Sequence, residues 1–162
     1  MDDKERKALS YFAVEVIYKI YTMEHKYLDR YFVKLNMRDC IVMHMLDAAG
    51  QAGGEPKIYL KDIVSRLGIP TRAASNMARE LSDKGLVSWS HDGDGSEGTY
   101  IVITDTGRAL LREQEDITGE HFSNIARKYG YDKIKTVLDS ITELDQMIKE
   151  DAERLPEAQK TV

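Results

Sequence analysis

Four side chains in the middle of the chain have types and a spacing that suit the reading of DNA bases: Arg72, Ser75, Asn76 and Arg79. At 3.6 residues per turn they share one side of a helix, while Ala74, Met77 and Leu81 share the other. In the major groove arginine pairs with guanine and asparagine with adenine, and serine suits phosphate oxygens. The alternative is a solvated helix face without a ligand. We favour the DNA-reading interpretation because of the elements around these residues.

The charge distribution supports that interpretation. The chain of 162 residues has a formal net charge of −5, which taken alone argues against nucleic acid. Residues 57–89, however, hold six basic and three acidic side chains, a surplus of +3, against −1 for residues 1–56 and −7 for residues 90–162. Such a positive segment is typical of a DNA-binding surface, although a surplus of three also arises by chance. The same segment supplies further candidates for phosphate contact: Lys61, Thr71 and Lys84.

Periodicity and helix breakers predict the elements that position these side chains. A short helix at 60–67, the turn Gly-Ile-Pro and a second helix at 71–84 form a helix-turn-helix. A β-hairpin follows, from GLVSW through the tip DGDGSEG to TYIVITDTG, and residues 57–59 are expected to pair beside it as a third strand. Two helices at a tight turn followed by a ribbon form a winged helix-turn-helix, which places a helix in the major groove.

Long helices are predicted on both sides of this unit. The first spans 7–33, and Asn36 is expected to cap a second helix at 37–49. Beyond the hairpin, Thr104 is expected to cap a helix at 105–129, and Gly130 separates it from a last helix that runs to about Arg154. The predicted fold class is therefore mainly α with a small β-ribbon.

The apolar stripes of the terminal helices predict a homodimer. Residues 1–36 and 105–155 carry more apolar surface than the central unit can cover, so we assign them to a helical dimerisation region. Residues 37–104 form the DNA-binding lobe, and 156–162 a frayed tail. A two-fold dimer sets two recognition helices about 34 Å apart on a palindromic site. A compact monomer is the alternative.

Three strings resemble the MarR family of bacterial transcription regulators: LKDIVSRLGIP, ARELSDKGLV and ITDTGRALL. The family repeatedly shows Leu-x-x-x-Gly-Leu-Val and then Leu/Ile-Thr-x-x-Gly at this separation. The resemblance covers nearly the whole chain and implies a homodimeric DNA-binding regulator with dimer-forming helices at both termini. Such regulators are often repressors, released by a small molecule bound between the dimer helices and the DNA-binding lobe.

The chain departs from the family's pattern at three places that bear on DNA. It has Ser75-Asn76 where Thr-Arg is common, and Trp89 where a basic residue usually follows Gly-Leu-Val-x. The tip DGDGSEG has no Lys or Arg where the family carries Asp-x-Arg. An acidic tip repels phosphates and cannot use the minor-groove potential that attracts arginine. We therefore expect major-groove reading by residues 72–79, with a weak or absent contact from the tip.

Two metal sites are conceivable, and both are disfavoured. The tip does not form a calcium loop, because Glu97 and Ile103 stand where such a loop needs glycine and a bidentate glutamate. Cys40 and His44 suit zinc and stand four residues apart on the second helix, but a buried thiol and a packed histidine are the simpler interpretation. Their candidate co-ligands are Glu24, His25, Glu120 and His121. No metal and no other cofactor is predicted.

The tyrosines of the first helix either pack the dimer or line an effector pocket. Five of the nine tyrosines lie between residues 11 and 31. Packing is the simpler interpretation, although aromatic-lined hollows are typical ligand sites. The candidate lining of an effector pocket is Tyr18, Tyr21, Cys40 and His44.

Bulk features exclude other classes. No apolar run approaches the roughly 18 residues that span a bilayer, MDDKERKALS lacks the apolar core of a secretory signal, and the single Cys40 fits a reducing cytoplasm. No phosphate-binding glycine loop, nucleophile elbow or HExxH pattern is present, so an enzyme is not expected.

The leading prediction is a cytoplasmic, homodimeric MarR-like regulator of transcription. It binds palindromic double-stranded DNA and acts as a repressor that a small-molecule effector releases. One alternative is a winged-helix protein-interaction module with weakened DNA binding. The other is a regulator that senses metal or redox state.

Overall fold

The computed structural model describes residues 2–51, 56–92 and 98–154. These ranges contain six α-helices, three strands and a short 3-10 helix, in chain order: α1 (Asp3–Lys26), the 3-10 helix (Leu28–Tyr31), α2 (Met37–Gln51), β1 (Lys57–Tyr59), α3 (Leu60–Leu67), α4 (Thr71–Asp83), β2 (Val87–His91), β3 (Thr99–Ile103), α5 (Asp105–Tyr129) and α6 (Tyr131–Arg154). The predicted fold class and the order of elements are confirmed. The bounds of α2 and α4 differ from the prediction by one or two residues, which is within the normal uncertainty of helix ends.

The predicted first helix, 7–33, is wrong at both ends. It begins at Asp3 because Asp2 and Glu5 form a capping box: the Glu5 amide donates to Asp2 Oδ1 at 2.7 Å, and the Asp2 amide donates to Glu5 Oε2 at 2.8 Å. It ends at Lys26, and the 3-10 helix follows.

Beyond the 3-10 helix the backbone is bonded to a side chain of α5, so the helix does not resume there. Gln114, which is fully buried, donates from Nε2 to the carbonyl oxygen of Tyr31 at 2.8 Å. Its Oε1 accepts from the amides of Lys34 at 2.9 Å and Leu35 at 3.3 Å. In a continued helix the Tyr31 carbonyl would accept from the Leu35 amide. A side chain far along the chain satisfies both groups instead, and so the apolar period continues where the helix does not.

The three strands form one antiparallel sheet in the order β1-β3-β2, which confirms the predicted third strand. Ile58 of β1 and Trp89 of β2 both stand opposite Ile101 of β3. Ile58 and Ile101 are buried against the helices. Because side chains alternate along a strand, Lys57, Tyr59 and Tyr100 lie on the other face of the sheet.

A single apolar core holds the helix-turn-helix to the sheet and to α2. Its fully buried side chains include Met43 and Leu46 of α2, Ile63 of α3, Leu81 of α4 and Ile101 of β3. Burial of a side chain of this size contributes about 1.5–3 kcal/mol relative to exposure. Helix α4 is therefore fixed by the core and does not depend on helix propensity alone.

The residues ITDTG join the hairpin to α5, and at this junction the backbone of α5 lies close to the backbone of the hairpin. Thr104 caps the helix as predicted, since its Oγ1 accepts from the Gly107 amide at 3.0 Å. The same hydroxyl lies 2.8 Å and 3.0 Å from the carbonyl oxygens of Gly85 and Leu86. A Cβ on Gly107 would overlap the Leu86 carbonyl oxygen, so only glycine fits this position.

Residues 1–118 and 119–162 form two compact units. In the described part of the second unit, α6 has no buried residue. Its exposed apolar side chains include Leu138, Ile141, Leu144 and Met147. In the first unit α1 likewise has no buried residue. Among the described helices, none has the length and apolarity that a membrane span requires.

Candidate nucleic-acid interface

Helix α4 presents the predicted base-reading side chains to solvent. Its inner side packs through Ala74, Ala78 and Leu81, each with 0% of its surface exposed. The alanines allow close packing, because they bring the helix axis near the core without a long side chain between. On the outer side Arg72, Asn76 and Arg79 are exposed, and Ser75 is half-buried. The structure thus brings the four residues to one side of the helix, with Ser75 at its margin.

The turn between α3 and α4 fixes where that side points. Gly68 ends α3 in the left-handed region at φ 61°, which glycine adopts at little cost. Pro70 precedes α4 in an extended conformation at ψ 148°, and Thr71 begins the helix. Thr71 is exposed beside Arg72, on the end of α4 that a major-groove reader inserts first.

Lys84, a predicted phosphate contact, has a carboxylate partner inside the protein. Its Nζ lies 3.5 Å from Oδ2 of Asp39, which is only 2% exposed. The side-chain nitrogen Nδ2 of Asn36 donates to the same Asp39 oxygen at 2.8 Å. Burial raises the pKa of the Asp39 carboxyl above its usual range, and Lys84 opposes that shift. The ammonium of Lys84 therefore ties the end of α4 to α2.

Lys61 stands in the first turn of α3 within a cluster of lysines and tyrosines. Its Nζ lies 5.1 Å from the centre of the Tyr59 ring, and Lys57 Nζ lies 5.2 Å from that of Tyr100 and 5.7 Å from that of Tyr59. The two rings meet edge to face, with centres 5.6 Å apart. We call Lys57, Tyr59, Lys61 and Tyr100 the lysine–tyrosine cluster.

Only Lys61 of this cluster was among the predicted site residues. The available signal was the alternation in Lys57-Ile58-Tyr59, which places the lysine and the tyrosine on one face of a strand. The strand order was not readable from the sequence, and it is the pairing of Tyr59 with Tyr100 across β1 and β3 that completes the cluster.

The described part of the wing ends at Asp92 and resumes at Gly98. Asp92 Oδ1 accepts from the Tyr59 hydroxyl at 3.2 Å, and among the described residues its buried Oδ2 has no hydrogen-bond partner. Residues 93–97, which include most of the acidic tip and Glu97 of the rejected calcium loop, lie outside the described residues. The expected weak contact of the tip with DNA stays a prediction.

Cys40 and His44 lie on α2 near α5. Nδ1 of His44 is 3.1 Å from Oε1 of Glu115, and Cys40 is half-buried against the core. Burial raises the pKa of the Cys40 thiol, and the carboxylates of Glu115 and Asp39 raise it further. A thiol of this kind stays protonated and is a poor nucleophile and metal ligand. In the described ranges, no three His, Cys, Asp or Glu side chains are placed to hold a metal ion together.

The predicted effector-pocket residues occupy two helices. Tyr18 and Tyr21 are each 59% exposed on α1. Tyr21 stacks on His25 with ring centres 4.1 Å apart. His44 lines a cleft of about 370 Å³ with residues of α2, β1 and α3, and neither tyrosine is part of that lining. The effector pocket stays a prediction.

A second cleft lies along the inner edge of α4. It measures about 490 Å³ and is lined by the end of α1, the residues that follow it, the start of α2, and Ala73, Asn76, Met77 and Glu80 of α4. Asn76 therefore borders both this cleft and the outer side of α4. Any molecule that fills the cleft touches a predicted base-reading side chain.

Sequence comparison links about half of the chain to known regulators. The HTH-type transcriptional regulator Hpr of Shouchella clausii is 35% identical over 78 residues, which are 48% of this chain and 38% of Hpr. The HTH-type transcriptional regulator SarT of Staphylococcus aureus is 32% identical over 79 residues, 49% of this chain and 64% of SarT. The matches thus span less than two thirds of either relative. No family model matches the chain.

Solved structures match nearly the whole fold at low identity. The MarR family transcription regulator SP03579 superposes with a TM-score of 0.71 at 10% identity, covering 94% of this chain and 98% of that protein. A mutant of MarR from E. coli, complexed with operator DNA, gives a TM-score of 0.65 at 15% identity over 80% and 91% of the two chains. BpsR of Bordetella bronchiseptica, a protein whose DNA binding is regulated by 6-hydroxynicotinic acid, gives 0.66 at 16% identity over 81% and 91%. The predicted resemblance is thereby confirmed, and the chain has the winged helix-turn-helix fold of the MarR family.

Proposed function

We propose that this protein is a DNA-binding transcription regulator that reads the major groove with α4. The observation that carries the proposal is the outer side of that helix, where Arg72, Asn76 and Arg79 are exposed while Ala74 and Leu81 anchor the opposite side in the core. Guanidinium and amide groups are the side chains that pair with guanine and adenine edges. The sequence likeness to the transcriptional regulators Hpr and SarT, which covers about half of the chain, also supports the proposal.

Selection of duplexes from a random-sequence pool at low salt tests the proposal, because it requires no knowledge of the operator. The selected duplex is then titrated by fluorescence anisotropy against the wild type and the variants R72A/R79A and N76A. We expect R72A/R79A to weaken binding by at least about tenfold and to flatten its salt dependence, while N76A relaxes base preference. Arg6→Ala with Arg30→Ala, outside the helix-turn-helix, removes the same charge and serves as the control. Failure of the wild type to enrich any duplex overturns the proposal and favours a protein-interaction module.

We further propose that the regulator acts as a homodimer on a palindromic site. Support comes from α1 and α6, neither of which has a buried residue, although both carry rows of apolar side chains. Within these rows Ile17 is 66% exposed and Leu138 is 62% exposed. Single exposed apolar residues are common on protein surfaces, but contiguous rows of them mark a surface that another molecule covers. Residues 1–36 and 105–155 are the proposed dimerisation region. Light scattering coupled to gel filtration measures the mass directly, and a monomer of 18.5 kDa at micromolar concentration rejects this part.

We also propose that the protein is a cytoplasmic repressor released by a small molecule. The single Cys40 suits a reducing compartment, and the cleft beside Asn76 gives a ligand access to the reading helix. A thermal-shift screen of small aromatic acids and amines identifies binders, which are then tested for release of the selected duplex. Tyr18→Ala and Tyr21→Ala test the predicted pocket, since they reduce binding only if a ligand lies against α1. An effector that tightens DNA binding would instead indicate an activator or corepressor.

A further inference from the structure

The lysine–tyrosine cluster lies outside α4 and brings positive charge to one tyrosine. Lys57 and Lys61 both place an ammonium group at the Tyr59 ring, with Nζ 5.7 Å and 5.1 Å from its centre, and Lys57 Nζ also lies 5.2 Å from the centre of the Tyr100 ring. Ring faces attract cations, so the tyrosines help to hold the two lysine side chains in place. Two ammonium groups beside one ring give this face of the sheet a positive charge that suits an anion.

The position of the cluster connects it to the base-reading helix. Tyr59 is the last residue of β1, and α3 begins at the next residue, so Lys61 stands in the first turn of the helix that packs on α4. Tyr100 lies on β3, which leads back from the wing. The cluster is therefore built from the strands at the base of the wing and from the first helix of the helix-turn-helix.

The acidic side chain of Asp92 contacts the cluster through a hydrogen bond. One of its two oxygens accepts a hydrogen bond from the Tyr59 hydroxyl at 3.2 Å. The tip beyond Asp92 carries Asp94 and Glu97 and no basic residue, so the basic side chains of this part of the protein lie at the base of the wing and not at its tip.

We propose that the lysine–tyrosine cluster is a DNA-backbone contact that takes the place of the arginine missing from the wing tip. Its occupant is the phosphate backbone of the duplex that α4 reads. Lysine ammonium groups bind phosphates as point charges and carry no sequence information. The inference rests on the proposed function, because it adds a contact to the same complex.

The test compares the double variant K57Q/K61Q with the wild type on two duplexes: the one selected from the random pool and a scrambled duplex of the same length. Dissociation constants are measured by anisotropy from about 50 to 200 mM KCl. We expect the slope of log affinity against log salt to fall by about 1 for each lysine, and affinity for both duplexes to weaken by a similar factor, about tenfold. K57R/K61R keeps both charges and should restore the wild-type slope.

A matched control comes from α6, where Lys133 Nζ lies 5.6 Å from the centre of the Tyr129 ring. K133Q/K135Q removes the same charge outside the helix-turn-helix, from Lys133 of a similar lysine–tyrosine pair and from Lys135 beside it. Both lysines lie in the proposed dimerisation region, so light scattering first checks that the variant keeps the wild-type mass, and it should then leave the slope unchanged. Thermal unfolding of each variant shows whether the fold is kept, and K57R/K61R separates lost charge from lost structure.

Three other outcomes reject the inference. If K57Q/K61Q keeps the wild-type slope while R72A/R79A flattens it, the cluster does not contact DNA, and the proposed function stands without it. If K57Q/K61Q weakens only the selected duplex, the lysines read bases and not the backbone. If the wild type binds neither duplex, the proposed function and the inference fail together.

Discussion

Helices α4 and α6 are both amphipathic by sequence, yet their apolar sides have different surroundings. In α4, Ala74, Ala78 and Leu81 have 0% of their surface exposed. In α6 no residue is buried, and Leu138 and Ile141 are 62% and 56% exposed. The same 3.6-residue periodicity therefore has two meanings. It shows which side of a helix avoids water, and it does not show whether the same chain covers that side.

The largest expected effect separates these two kinds of apolar side chain. Leu81→Ala removes a fully buried side chain and should lower the free energy of unfolding by about 2–5 kcal/mol at every protein concentration. Leu138→Ala removes a similar side chain from an exposed stripe. If that stripe is covered by a second copy, its effect should change with protein concentration, because only association buries it. Urea denaturation followed by circular dichroism, at two protein concentrations at least about 100-fold apart, measures both.

A Leu138→Ala variant that is neutral at both concentrations would contradict the homodimer through α6. The difference in side-chain burial between α4 and α6 would still stand, because it is a property of one chain by itself. A Leu81→Ala variant with an effect below about 1 kcal/mol would break the contrast itself.

The second prediction compares two glycines of α5. A Cβ on Gly107 would overlap the Leu86 carbonyl oxygen, whereas a Cβ on Gly119 meets nothing within 4 Å. Gly107→Ala should therefore destabilise by about 1–3 kcal/mol or more, because the hairpin must shift away from the helix. Gly119→Ala should stabilise by about 0.5–1 kcal/mol, since alanine restricts the unfolded chain and favours the helix. Thermal unfolding of the two single variants measures both effects. Equal effects at the two positions would show that the close approach of Gly107 to the Leu86 carbonyl oxygen does not exclude a side chain.

The third and smallest effect concerns the link between α2 and the end of α4. Burial raises the pKa of Asp39 above its ordinary value of 3.8. A raised pKa in the folded state means that the folded protein holds this proton more tightly than the unfolded chain does. The contribution of Asp39 to stability is then fully present below about pH 3.8 and is lost as the pH rises through the folded pKa.

Asp39→Asn removes this dependence. The free energy of unfolding of the wild type, minus that of the variant, should fall as the pH rises from about 4 to 7 in urea titrations. Asp139→Asn makes the same substitution on exposed α6 and is titrated in parallel as the control. A difference that grows with pH would mean that the attraction of Lys84 outweighs burial and lowers the pKa of Asp39.

Most of the helix-turn-helix was predictable because its determinants are local. The left-handed Gly68, the periodic Ala74, Ala78 and Leu81, and the cap at Thr104 each act within a few residues of their own position. The third strand was predictable from the alternation of one short segment. The candidate base-reading side chains followed from the same periodicity, and their exposure agrees with it, while their contact with DNA stays a prediction.

The end of the first helix was not predictable, for the opposite reason. The apolar period runs through Tyr31, and no nearby glycine or proline interrupts it. The helix ends at Lys26, and beyond the 3-10 helix that follows it Gln114, 83 residues further along the chain, satisfies the Tyr31 carbonyl. A hydrogen bond of that range leaves no local trace in the sequence, and a buried glutamine is indistinguishable in sequence from an exposed one.

The sequence by itself determined which residues form helices and strands around the turn at Gly68, and which side of α4 is polar, because both depend on interactions within a few residues. Tertiary structure decided how Gln114 holds the chain that follows α1, how Lys84 is held by Asp39, and that Tyr59 of β1 meets Tyr100 of β3. The physical reason is the same in each case. These contacts join parts of the chain that only folding brings together, and their energy depends on burial and on pairing across the sheet, neither of which the local pattern contains.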